Sequence, residues 1–147
     1  MKSSDFMRAI PEAIRSRLPT ELQGFQWQAR PWLVQLYYQE PRLHYEVWWL
    51  AGRYGKRLEI GLHLESRDPA ENERLLAYFL SHLVELKATL GDGVEAEPWD
   101  RGWTKIYETV PLESFTPEYL ARVVDRLAEF MRVMEPMIAK ARGVEPM

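Results

Sequence analysis

Two stretches of the chain alternate apolar and polar residues on either side of a glycine-bearing turn. In the first, Leu43, Tyr45, Val47, Trp49 and Ala51 share one face; in the second, Leu58, Ile60, Leu62 and Leu64 do. Period-two alternation flanking a turn predicts a β-hairpin. With Gly52 to Gly55 as the loop, Ala51 opposes Lys56, Trp49 opposes Leu58, Val47 opposes Ile60 and Tyr45 opposes Leu62. The large apolar residues then meet one another, which is what sets register when one face is buried. The other face carries His44, Glu46 and Trp48 opposite His63, Gly61 and Glu59. That composition reads as the wet face of an antiparallel sheet. Trp48 is placed to cover Gly61, which has no side chain of its own to pack.

The flanking patterns supply the remaining elements. Residues 4–18 predict a helix, with Ser4 as cap and Met7, Ile10, Ile14 and Leu18 at helical spacing. Pro11 predicts a kink or a division into two short helices, and Pro19 a stop. Residues 31–38 predict a strand with Trp32, Val34 and Leu36 on the apolar face. A short additional strand fits Gly24 to Arg30. Residues 69–90 predict one helix, with Asp68 as N-cap, Pro69 at the first position and Glu71 completing a capping box. Its stripe is Leu75, Leu76, Phe79, Leu80, Leu83, Leu86 and Leu90. Val94 to Glu97 and Trp103 to Val110 predict two strands around a turn at Pro98 to Gly102. Thr116 and Pro117 open a last helix striped by Tyr119, Leu120, Val123, Val124, Leu127, Met131 and Met134, with Pro136 predicted to kink or end it.

The order is therefore α-β-β-β-α-β-β-α: an α+β fold in which helices pack on an antiparallel sheet of about five strands. No Gly/Ser linker, repeat or low-complexity tract divides the chain, so residues 1–147 read as a single α+β domain.

Composition narrows the function classes. The chain has no cysteine, which excludes disulfides, thiolate metal sites and cysteine nucleophiles and fits a cytoplasmic location. The apolar runs are short for a membrane span, and the first residues lack the apolar segment of a signal peptide. A net charge of −3 gives no global basic field, which argues against nucleic acid as a partner.

No P-loop, dinucleotide fingerprint, H-E-x-x-H or nucleophile-elbow motif occurs. Glu85-Leu86-Lys87 matches the E-x-K piece of a restriction-type nuclease, but that piece belongs on a strand and this triplet lies in a helix. The paired strands form a rung Tyr37-His44-His63 with Glu46 and Glu65 nearby. Two imidazoles and a carboxylate suit zinc, but the reading preferred here is a mixed polar sheet face in water. No metal, cofactor or catalytic residue is assigned, and tight zinc binding is not expected. His82 reads as a helix-edge histidine. Trp99, Arg101 and Trp103 around the late turn form a candidate recognition loop, since aromatics and arginine are enriched at interaction hot spots. Leu33, Tyr37 and Trp48 form an aromatic patch on the far sheet face, open to a second copy unless the N-terminal helix covers it. Arg122, Arg126 and Arg132 alternate with Glu118, Asp125 and Glu129, as on a salt-bridged solvent face.

From Tyr45 to about Ile138 the chain resembles a prokaryotic family of unknown function whose members often occur at the C-terminus of restriction-type nucleases. The matching pieces are the Leu58 to Leu64 strand, Asp68-Pro69-Ala70-Glu71-Asn72, the helix ending Leu90-Gly91 and the late helix with Pro136. The element order also resembles the secretion-chaperone fold, whose members are dimers that bind extended protein segments; this is analogy of architecture. The expectation is a non-enzymatic protein-binding module, chaperone-like and homodimeric. The alternatives are a nucleic-acid-associated accessory domain of a restriction or defence system and a metal-dependent hydrolase or nuclease.

Overall fold

The computed structural model describes residues 1–50 and 56–143. The elements are α1 (Ser3–Arg15), a single 3-10 turn (Thr20–Leu22), β1 (Gln26–Arg30), β2 (Leu33–Tyr37), β3 (Leu43–Leu50), β4 (Arg57–Leu64), α2 (Pro69–Ser81), α3 (Leu83–Leu90), β5 (Glu95–Asp100), β6 (Trp103–Pro111) and α4 (Pro117–Arg142). The six strands form one antiparallel sheet in the order β1-β2-β3-β4-β6-β5. The α+β class is as expected, with six strands rather than about five.

The hairpin register holds. Trp49 pairs with Leu58, Val47 with Ile60, Tyr45 with Leu62 and His44 with His63. The expected loop Gly52 to Gly55 and the facing of Ala51 lie outside the described residues. β1 is the short additional strand, and its pairing of Arg30 with Leu33 closes a two-residue turn at Pro31 and Trp32. β2 therefore starts at Leu33. Trp32 sits in the turn, 48% exposed, instead of on the apolar face, while Val34 and Leu36 are fully buried.

One face of the sheet carries Val34, Leu36, Tyr45, Val47, Leu58, Ile60, Leu62 and Ile106 into a single core with residues of all four helices. α1 contributes Phe6, Met7, Ile10 and Ile14 to this core, and Phe6 stacks on Tyr119 of α4. The N-terminal helix thus packs on the same side as the long helices and does not cover the far face. Asp68 and Thr116 cap α2 and α4 as expected, accepting from the amides of Ala70 and Tyr119, with Pro69 and Pro117 in the first turns.

Four local expectations are corrected. The stretch 69–90 is two helices, broken at His82, whose backbone leaves helical geometry (φ −114°, ψ 16°) while its Nδ1 bonds the Tyr78 carbonyl. Leu80, expected on the apolar stripe, is exposed. Glu71 pairs with Arg74 and Arg142 instead of closing a capping box. The α1 cap position is Lys2, not Ser4, and no side chain bonds there. Pro11 and Pro136 lie inside continuous helices, so neither a division at Pro11 nor an end at Pro136 occurs. The stripe residues on both sides of each proline are buried, and that packing outweighs the one backbone bond a proline removes.

Candidate functional site

The helix-free face holds the unexpected chemistry. Alternation places Gln35 on β2, His44, Glu46 and Trp48 on β3, Glu59, Gly61 and His63 on β4, and Lys105 and Tyr107 on β6 over adjoining rungs. This face is not wet at its centre. His44 is 2% exposed, Glu46 4%, Glu59 0% and His63 1%. The rung His44-His63 extends to Lys105, which pairs with His63, while the β2–β3 ladder ends at Leu36 and Tyr45, one residue before Tyr37.

The polar groups satisfy one another. His63 contacts Glu59 Oε2 through Nε2 at 2.8 Å and Glu65 Oε2 through Nδ1 at 3.0 Å. Lys105 Nζ donates to the other oxygen of Glu59 at 2.6 Å. Gln35 donates to Glu46 Oε1 at 2.8 Å and accepts from Gln28 at 2.6 Å, so the chain of bonds reaches the sheet edge. His44 Nδ1 lies 2.8 Å from the Pro41 carbonyl and Nε2 lies 3.2 Å from Glu46 Oε1. Burial acts to lower the His63 pKa, but the hydrogen bonds to Glu59 and Glu65 and the charges of Glu46 and Glu59 prevail and push it up to about 10. Burial acts to raise the Glu46 carboxyl, yet the His44 hydrogen bond and the His63 charge hold it below its ordinary value. His63 is thus a buried cation between carboxylates, the pairing that buried charge requires.

Gly61 makes room for this cluster. A Cβ there would lie 2.5 Å from the Ile106 carbonyl oxygen and 2.6 Å from Tyr107 Cβ, so only glycine lets β4 and β6 approach so closely. The contact that requires glycine at position 61 is with β6.

Tryptophans roof the cluster. Trp48 lies 6.0 Å from Trp99 and Trp99 lies 5.5 Å from both Trp103 and His63, between ring centroids. Lys105 Nζ sits 5.3 Å from the Trp99 ring and 4.1 Å from that of Tyr107. The late hairpin creates the roof. Its turn is only Arg101 and Gly102, both with positive φ (49° and 80°), the conformation of a tight two-residue hairpin turn. Pro98, Trp99 and Asp100, expected in the turn, belong to β5. A register shift between Pro98 and Asp100 leaves Trp99 without a partner on β6, and such β-bulges re-aim side chains. Among the described residues, Trp99 Nε1 is the buried side-chain polar atom without a hydrogen-bond partner.

Of the residues singled out from the sequence, Trp48, Trp99 and Trp103 come together, with the Arg101 guanidinium 5.8 Å from the Trp103 ring. Leu33 pairs with Trp48 across the β2–β3 ladder and is half-buried. Tyr37, also half-buried, lies at the opposite end of β2 beside the histidine rung. Glu59, Lys105 and Gln35 were not singled out. Their signal was present: Trp103, Lys105 and Tyr107 alternate onto one face, and a β4–β6 pairing brings that face to Glu59.

No protein-family model, curated protein or solved structure matches this chain. None of the helices among the described residues is long and apolar enough to cross a membrane.

Proposed function

We propose that the protein is a non-enzymatic protein-binding module that works as a homodimer, with the helix-free face of its sheet as the interface. The observation that carries this reading is the cluster of Trp48, Trp99 and Trp103, half-buried together on a face that no helix packs against. Large aromatics with a polar tip are the residues that dominate interface energy. The rim offers both signs of charge: the Arg101 side chain is 77% exposed and that of Asp100 49%. A two-fold pairing buries the same patch on both copies, so a surface with an apolar centre and a mixed rim suits a second copy of itself. The buried Trp99 N–H lacks an acceptor, which among the described residues marks the roof as a place where a partner could supply one.

The same face carries Glu46, Glu59 and Glu65, and the net charge is −3, which gives a nucleic-acid role less support. The absence of cysteine fits a cytoplasmic setting for such a module.

Light scattering at micromolar concentration tests the reading. The expected mass is twice the 17.4 kDa of one chain. Trp48→Glu and Leu33→Glu each shift the protein toward monomer with an unchanged far-ultraviolet spectrum. A wild-type monomer throughout that range sinks the proposal.

A further inference from the structure

We infer that His44, His63 and Glu65, flanked by Glu46, form a binding site for one divalent metal ion of the zinc class that clips β3 to β4 beneath the tryptophan roof. This stands independently of the docking reading above.

The donors converge. One ligand atom from each of His44, His63 and Glu65 lies within 4.8 Å of the others. His63 Nδ1 is 3.0 Å from Glu65 Oε2, His44 Nε2 is 3.8 Å from the same oxygen, and His44 Nε2 is 3.2 Å from Glu46 Oε1. Ligands about 2.0–2.2 Å from a tetrahedral zinc stand roughly 3.3 Å from one another, so these separations bracket the spacing a zinc ion sets.

The groups behind the donors are also in place. A carbonyl only accepts, so the 2.8 Å contact with Pro41 keeps a proton on His44 Nδ1 and leaves Nε2 as the nitrogen available to ligate a metal. Nε2 faces the carboxylates of Glu46 and Glu65, so a metal ion there would replace its hydrogen bond to Glu46 with ligation. With His63 binding through Nδ1, its Nε2–H donates to Glu59 at 2.8 Å, and Lys105 holds Glu59 from the other side at 2.6 Å. Gln35 holds Glu46 in the same way. A ligating histidine whose other nitrogen donates to a backbone carbonyl or a carboxylate is the usual outer arrangement of metal sites.

Charge selects the ion. A metal ion bound through the two rings takes the place of the imidazole protons, including the one His63 carries in the metal-free chain; Glu46, Glu59 and Glu65 then carry three negative charges against one on Lys105. A dication brings this buried group to neutrality. Two imidazoles with carboxylate oxygens suit zinc and its neighbours better than calcium or magnesium, which take all-oxygen sites. Glu65 is the most accessible donor, its side chain 15% exposed against 1–5% for His44, Glu46 and His63, so entry is from the Glu65 side.

The test uses the full chain, stripped with a chelator and titrated with zinc chloride by calorimetry. One zinc per chain is expected, with His44→Ala and Glu65→Ala each weakening it about tenfold or more. His63 is not substituted, because it also neutralises the buried Glu46 and Glu59. Cobalt(II) added to the unaltered chain gives a second readout that needs no variant, a visible absorption band of a four-coordinate N/O site. No saturable uptake of zinc overturns the site. So does uptake that both variants retain unchanged, which is adventitious surface binding, or cobalt without the band.

Discussion

The two faces of the sheet are equally dry at their centres and are built on opposite principles. On the helix-covered face Val47, Ile60, Leu62 and Ile106 are at most 1% exposed and gain from leaving water, each on the order of 1.5–3 kcal/mol before entropy is counted. On the helix-free face Glu46, Glu59, His44 and His63 are just as hidden, yet every one loses solvation on burial. The first face tolerates imprecision, because apolar contact is non-directional. The second stands only while each charge keeps its partner, because an unmatched ion in the interior is costly. Burial alone therefore says little about what holds a region together.

Substitutions of equal volume separate the two faces most sharply. Glu59→Gln keeps the shape but strips the countercharge from Lys105 and His63, and is expected to cost about 3–5 kcal/mol in denaturant melts. Leu62→Met, also near-isosteric, is expected to cost less than about 1.5 kcal/mol. Equal costs would mean that the polar cluster is no more demanding than the core.

A smaller effect is expected where the two faces share backbone. Gly61→Ala pushes a methyl group into the Ile106 carbonyl and the Tyr107 backbone, at about 1–3 kcal/mol. A change within about 0.5 kcal/mol would show that β4 and β6 separate freely and that the cluster does not depend on their close approach.

The smallest effect concerns an acid drawn into the apolar side. Tyr45 OH donates to Glu135 Oε2 at 2.6 Å, and burial, opposed by that hydrogen bond and by Arg142, raises the Glu135 carboxyl above its ordinary value. A carboxyl raised in the folded state adds stability below its unfolded pKa and loses it as pH rises through the folded one. Glu135→Gln mimics the protonated form at all pH values. It should therefore raise unfolding free energy at pH 7, with the gain shrinking toward pH 4. A gain that grows on acidification contradicts the sign.

Much of the scaffold was legible because its determinants are local. The alternation from Leu43 to Leu64 carries the hairpin register, and Asp68 with Pro69 and Thr116 with Pro117 announce where two helices start. The misreadings came where a distant contact overrides a local preference. Pro11 and Pro136 signal breaks, but buried neighbours on both sides carry the helices through. The leucine stripe from Leu75 to Leu90 continues past His82, while the backbone breaks there.

The site divides along the same line. Period-two alternation by itself places His44 opposite His63 and puts Glu46, Glu59 and Trp48 on the same face, because side chains of a strand point alternately to its two sides. It does not say whether that face is wet. The partner that neutralises Glu59 is Lys105, 46 residues along the chain. It arrives only because β6 inserts between β4 and β5 in the sheet. The Trp99 roof depends on a one-residue bulge set by the β5–β6 pairing. Alternation is a property of neighbouring residues and is written in the sequence. Burial is a property of everything that packs around them, and for these charges only the tertiary structure decided it.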